Sequence, residues 1–348
     1  MRYGPYFLPL IFLCCPLLAS SVAEPMLEHP EYEAASEDNE NPARVFATFD
    51  LLYGRSCGEA LTVARALTPS TIPDYQSSQL IETGEPWRLA FAVGLGLDLP
   101  KDGWMVYGNW QHFWQEQKGS FLTDFPVVVP LLLIEEGKEA LSLGAPRASG
   151  VDFTSKMVIS RAALSLMRRY FIASHFLVAP EFGLGLLFLD ERIEADYTTL
   201  FGPLITPPYS PRKPLPNESF TGSSTFLGVG PRLGCGMKWL WGGGFGLVGK
   251  ASGALVWGLS KGNYTIDIAS APAGRTERVR EQILPLADIF LGIDWDRRDF
   301  AELYHFNFTL GYQTQYIFGR RGIPSVQNLD PVTNSALSAF VFGVRINF

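Results

Sequence analysis

From Trp87 to Asp98 the chain alternates without a break. Trp87, Leu89, Phe91, Val93, Leu95 and Leu97 occupy one set of positions, and Arg88, Ala90, Ala92, Gly94, Gly96 and Asp98 the other. Successive side chains of a strand point to opposite faces, so this segment has one apolar face and one small or polar face. Phe300 to Phe318 repeats the pattern: Tyr304, Phe306, Phe308, Leu310, Tyr312, Tyr316 and Phe318 share a face opposite His305, Asn307, Thr309, Gly311, Gln313 and Gln315. A helix would mix the two sets around its circumference, whereas a strand separates them.

The same period predicts strands near 45–54, 103–114, 154–168, 175–190, 225–240, 244–261, 278–295 and 335–348. Several reach about 14 residues or more, against a usual strand of about 5 or 6. A membrane strand needs only about 9 to 11 residues, so strands this long fit a tilted barrel whose ends project beyond the bilayer.

Composition removes the main competing membrane architecture. Hydrophobic residues make up 47% of the 348 and charged residues 18%, yet beyond the first residues no apolar run approaches the roughly 20 of a membrane helix. The best internal candidate, Val127 to Ile134, is broken by Pro130. With aromatics at 13%, 34 Gly and 25 Pro, the chain has the residues that strands and turns consume.

Residues 1–23 read as a signal peptide, with Arg2 as a thin basic region, Phe7 to Leu18 apolar, and Ser21-Val22-Ala23 at the cleavage spacing. Cleavage is expected between Ala23 and Glu24. Phe12 and Leu13 stand before Cys14 where a lipoprotein signal would want small residues, which argues against lipidation. The mature chain then keeps Cys57 and Cys235, too few for a disulfide framework. Cys235 reads as a small apolar strand residue. Cys57, in an apparent Gly-Arg-Ser-Cys-Gly turn, leaves an intermolecular disulfide open. Glu24, Glu28, Glu31, Glu33, Glu37, Asp38 and Glu40 make residues 24–44 an acidic lead-in, expected to be disordered and periplasmic. They account for the net charge of −7 and leave residues 45–348 close to neutral, with nothing to attract nucleic acid.

The connections alternate in length. Leu99–Asp102, Arg169–Ser174, Trp241–Gly243 and Asp296–Asp299 are short, and polar or Pro-rich links near 115–153, 191–224, 262–277 and 319–334 are long. Short periplasmic turns alternating with long outer loops are the habit of outer-membrane barrels. The expected fold is therefore all-β: a single antiparallel up-and-down transmembrane barrel of ten strands, with 55–86 as the first outer loop. Twelve follow if 55–86 or 121–134 holds another pair. A soluble barrel also alternates, but it would not combine a signal peptide, strands this long and this loop asymmetry.

On the last strand, Phe340, Phe342, Val344, Ile346 and Phe348 alternate along one face to the final residue. This resembles the sorting signal read by the bacterial barrel-assembly machinery. The stretches Lys101–Phe113, Phe226–Gly234 and Phe342–Phe348 resemble the major-outer-membrane-protein-like, pore-forming barrels of Legionella and environmental chlamydiae, over roughly residues 45–348. The resemblance implies an outer-membrane β-barrel of Gram-negative bacteria and tips the functional expectation toward a porin.

If the apolar faces meet lipid, the opposite faces line a lumen. Its candidates are Thr48, Asp50, Arg88, Asp98, Tyr107, Asn109, Gln111, Arg161, Glu181, Arg232, Lys238, Lys250, Asp288, Asp294, His305, Asn307, Gln313, Gln315 and Arg345. Charges of both signs suit a water-filled channel. They could equally pair across a narrow bore, since about eight strands already allow side chains to fill the interior. Trp87, Trp104, Trp110, Trp114, Trp239, Trp241 and Trp295 are candidates for interfacial girdles.

Enzymatic readings find little support. His112, His175 and His305 lack ligands at metal spacing, and Ser174 and His175, read as strand neighbours, should point opposite ways. Gly242-Gly243-Gly244 has no helix or Lys-Ser/Thr after it and is no phosphate loop. No cofactor or metal is expected. The expected function is passive diffusion of small hydrophilic solutes. The alternative is a plugged barrel acting as a surface structural protein or adhesin through its loops. Outer-membrane lipid and the assembly machinery are the expected partners, with a homo-oligomer left open.

Overall fold

A computed structural model describes residues 44–58, 62–67, 78–82, 86–99, 103–122, 128–129, 148–198, 218–268, 271–298, 305–324 and 331–348. The expected signal peptide and nearly all of the acidic lead-in lie outside the described residues.

Ten strands form the wall: β1 (Arg44–Gly58), β2 (Arg88–Asp98), β3 (Trp104–Leu122), β4 (Gly150–Arg168), β5 (Phe176–Thr198), β6 (Glu218–Gly242), β7 (Phe245–Ile268), β8 (Ala271–Arg298), β9 (His305–Arg321) and β10 (Val332–Asn347). Each pairs antiparallel with its sequence neighbours. The β1–β10 ladder, from Phe46 opposite Asn347 to Gly58 opposite Ser335, closes the barrel. Closure leaves the sheet no free edge, the condition for crossing lipid with strands. Among the described residues there is no helix.

Both segments suspected of hiding a further pair do form strands, though not in the wall. Thr62–Leu67 pairs with Ser78–Glu82 and, through Arg65 and Ala66, with Val128–Val129, making a separate three-stranded sheet. The wall therefore has ten strands. Of the expected short connections, Arg169–Ser174 is mostly strand, with Tyr170–Ala173 paired to β5 ahead of a turn at Ser174 and His175, and Asp296–Arg298 still belong to β8; the β6–β7 turn at Gly243 and Gly244 has positive φ at both residues (63° and 83°), a conformation for which glycine carries no steric penalty.

Two further expectations are corrected. The segment 262–277 is not a long loop: β7 and β8 continue as a hairpin through Ile268 and Ala271. Cys57 sits in β1 opposite Ala336, not in a turn; its side chain lies outside the described residues.

The outward faces locate the membrane. On β5 the outward series Phe182, Leu184, Leu186, Phe188 gives way to Asp190, Arg192, Glu194, Asp196. On β7 Leu255, Trp257, Leu259 give way to Lys261, Asn263, Thr265, Asp267. Below this line the exposed side chains are large and apolar, with Leu233 at 66% and Leu310 at 64%, as a lipid-facing wall requires. Above it, the polarity inverts. Val151, Phe153, Ile193, Ala195, Tyr197 and Phe220 are buried inside the projecting strands, joined by Ile323 from the segment after β9. The projecting part is thus built as a barrel for water, polar outside and apolar within.

Candidate functional site

The interior is layered, and the register of each strand decides which side chains enter it. At the short-turn end, Asp98 of β2 accepts from two arginines at 3.1 Å each, Arg345 of β10 and Arg169 after β4. The Arg345 guanidinium lies 3.6 Å from the centre of the Phe46 ring. Nearby, Lys238 Nζ stands 2.5 Å from Asp294 Oδ2, and Asn307 donates to the same oxygen at 2.8 Å.

A second polar layer crosses the bore. Arg161 of β4 makes a two-pronged contact with Asp288 of β8, at 2.6 and 2.7 Å. Arg232 of β6 joins Glu181 at 3.1 Å and Asp288 at 3.6 Å, and donates to Ser252 at 2.9 Å. Gln315 of β9 donates to Gln111 of β3 at 2.6 Å. In a ten-stranded ring, β4 to β8 and β9 to β3 are each four strands apart, so these contacts span the bore. Thr48 and Tyr107 share a hydrogen bond at 2.8 Å. Asp50, Asn109, Gln313 and Lys250 hold inward register positions; Lys250 nevertheless stays exposed, with its Nζ 5.8 Å from the centre of the Phe290 ring.

Above these layers the interior turns apolar. Leu52, Ala90, Phe113, Ile159, Leu187, Phe226, Val256, Leu284, Ile317 and Leu337 are all buried in one cluster, one residue from each wall strand. A group supplied by every strand around a ring and packed this closely closes the bore at that level. Farther out, Arg320 of β9 meets Glu191 of β5 at 2.5 Å and also donates to Ser335.

Most of the expected lumen residues therefore do face inward, and the charged ones are largely tied to one another. Arg88 has the inward register but lies exposed at the outer end of β2, donating to the Glu116 carbonyl at 2.8 Å. The side chain of His305 lies outside the described residues. Sequence reasoning missed the apolar belt and the Glu191–Arg320 pair. A signal for the belt was present: at that height alternation fails, leaving runs such as Leu51-Leu52-Tyr53, Leu186-Leu187-Phe188, Leu255-Val256-Trp257 and Tyr316-Ile317-Phe318. Where both faces are apolar, one meets lipid and the other fills the barrel.

Two Ser–His contacts exist. Ser174 and His175 meet at 2.6 Å in the turn before β5, because a turn, unlike a strand, does not send neighbours to opposite faces; the expected divergence was wrong. His112 and Ser160, directly opposite on β3 and β4, meet at 2.7 Å on the outward face among Phe91, Trp110 and Trp114. Aromatic side chains also gather toward the short-turn end, in the Phe245, Trp295 and Phe308 stack and the Trp239–Trp241 pair. Phe340, Phe342, Val344 and Ile346 share the outward side of β10, and Phe348, directly after the strand, continues the series, its N–H donating to the Val45 carbonyl at 2.8 Å.

A family model described as Legionella pneumophila major outer membrane protein precursor matches residues 47–347. No curated protein matches. Among solved structures, the outer membrane protease OmpT of Escherichia coli is similar at 9% identity and a TM-score of 0.44, over 88% of this chain and 97% of that one. The toluene transporter TodX of P. putida is similar at 9% identity and 0.24, over 89% and 91%. A FadL homologue of Pseudomonas aeruginosa is similar at 8% and 0.27, over 88% and 90%. Likenesses this distant transfer no activity.

Proposed function

The chain belongs to the Legionella major outer membrane protein family, and from that premise we propose that this outer-membrane barrel is a gated pore for small hydrophilic solutes, described here in its closed state. The observation that carries the reading is the polar, ion-paired interior below the packed apolar belt, with a further buried ion pair, Glu191–Arg320, directly above it. A bore needed only for stability gains little from buried ion pairs, because desolvation of both partners offsets most of their attraction, and well-packed apolar residues of similar volume often do as well or better. Arg161, Arg232, Glu181 and Asp288 below the belt, with Glu191 and Arg320 above it, are better explained as the lining of a path. Lys250, exposed on the inward register, fits the same reading. Apolar constrictions are a known way to gate such a path, since water does not wet them.

Export through a signal peptide cleaved between Ala23 and Glu24, and delivery to the assembly machinery by the outward face of β10, belong to the same proposal. Catalysis does not. The strand carrying Ser160 is paired on both sides, so neighbouring N–H groups are committed to the ladders rather than aimed at an oxyanion.

A second reading, a permanently plugged barrel acting through its outer surface, is favoured by the completeness of the belt. Planar-bilayer recording of the purified protein separates the two. Brief, discrete conductance steps are expected of a gated pore; a barrel consistently silent at all voltages removes it.

A further inference from the structure

Two ladders of the wall stop at the same level. The β8–β9 ladder ends at Leu286 opposite Ile317, and the β1–β10 ladder ends at Gly58 opposite Ser335. Ile317 and Ser335 are themselves partners in the β9–β10 ladder, and directly beyond them that ladder shifts register, resuming at Arg320 opposite Thr333. Gly319, inside the shift, has φ +64°, a conformation that suits glycine, and an irregularity of this kind bends the strand that carries it. Among the described residues, the hairpin tip beyond this level, Phe318–Pro324 and Pro331–Asn334, pairs with neither β8 nor β1.

The tip bends into the mouth. Gly322, Ile323 and Pro324 are buried in succession, and Ile323 packs in the cluster that holds Val151, Phe153, Ile193 and Phe220 of β4, β5 and β6. Two wall glycines make room for it: a Cβ at Gly222 of β6 would overlap Ile323 Cγ2, and one at Gly262 of β7 would stand 3.2 Å from Pro324 Cδ. Ser224 of β6 donates to the Arg321 carbonyl at 2.9 Å. At the base, Arg320 reaches Glu191 of β5 at 2.5 Å, with only 9% and 15% of the two side chains exposed, and Gln282 of β8 donates to the Gly319 carbonyl. Side-chain contacts across the mouth, rather than ladders to the neighbouring strands, hold the tip where it is.

We propose that the tip of the β9–β10 hairpin is a hinged flap, seated in the outer mouth of the barrel and latched there by the Arg320–Glu191 pair. The register shift at Gly319 is the hinge, since a few residues that absorb the backbone change are enough. Taking one partner from a buried ion pair is strongly destabilising, so loss of either latch residue releases the tip while every wall ladder stays paired. This closure lies outward of the apolar belt and goes beyond the pore reading. Its test reads accessibility rather than current, so a silent bilayer recording would leave it standing.

The test is labelling of Pro324→Cys by a membrane-impermeant maleimide in the full barrel in vesicles, with Cys57 and Cys235 replaced by Ala. Slow labelling is expected with the latch intact, and labelling faster by about tenfold or more with Glu191→Gln or Arg320→Gln, because a local opening exposes its own segment alone. Gly222→Leu, which fills the seat of Ile323 without touching the latch, should act in the same direction and keeps the test valid if the latch variants fail to fold. Leu187→Cys, in the belt, should stay protected in every background. Three outcomes each overturn the proposal: Pro324→Cys reacting from the start as fast as Arg192→Cys, rates unchanged in all three variants, or Leu187→Cys speeding up in step with Pro324→Cys.

Discussion

Arg161 and Asp288, 127 positions apart in sequence, meet across the bore with both guanidinium nitrogens on both carboxylate oxygens at 2.6 and 2.7 Å. Their side chains are about one-tenth exposed (10% and 11%), so the pair sits largely out of water. It is fixed in place by Arg232, which reaches the same carboxylate from β6.

Removing one partner should therefore cost more than removing both. Arg161→Ala leaves Asp288 short of a counter-charge and should lower stability by about 3–5 kcal/mol, whereas Arg161→Met with Asp288→Leu should come within about 1–2 kcal/mol of the parent. Urea midpoints of the barrel in lipid vesicles measure both. A loss in the double variant as large as the two single losses added together would mean that the pair contributes nothing beyond its separate side chains.

The change of outward polarity on β5 predicts the position of the bilayer surface. With Cys57 and Cys235 both replaced by Ala, a cysteine at Arg192 should react with a membrane-impermeant maleimide in vesicles, and one at Leu184 should not. Labelling at Leu184 as fast as at Arg192 would put the lipid boundary elsewhere.

How much of this was legible in the sequence follows from what alternation encodes. A period of two separates faces; it identified the ten wall strands, and most of the charges it grouped opposite the apolar face hold inward register positions. It does not say which face is wet. At Leu186-Leu187-Phe188 both faces are apolar, and beyond Asp190 the inward face becomes the apolar one. The hairpin through Ile268 and Ala271 read as a loop for that reason: its outward Asn263, Thr265 and Asp267 look like loop residues until Tyr264 and Ile266 are recognised as facing inward. The pairs across the bore were not legible, since which charges meet depends on strand register and stagger around the ring. Turns such as Ser174-His175 escaped because the strand rule does not hold there.

Outside the membrane, Asp152 and Asp196 lie directly opposite each other on β4 and β5. Burial, reinforced by Asp152 and Glu194, raises the pKa of Asp196 above the ordinary carboxylate range. A carboxyl raised in the folded state stabilises the fold when protonated, and that contribution is lost as pH rises through the raised value. The outer ends of β4 and β5 should then resist protease better in mildly acidic solution than at neutral pH, and Asp196→Asn should remove most of the difference. An unchanged pH dependence in Asp196→Asn would assign it to another group.

The apolar belt is the feature on which the closed state depends. Phe113→Ala and Phe226→Ala, alone and together, trim the two aromatic rings of the belt while leaving the polar layers untouched. Each should cost about 3–5 kcal/mol, so retention of the folded barrel is checked by its heat-modifiable mobility on gels. The most direct measurement is single-channel recording of the folded double variant beside the parent. A belt that closes the bore predicts longer and larger openings in the variant; identical records, with the belt trimmed and the barrel intact, would contradict it.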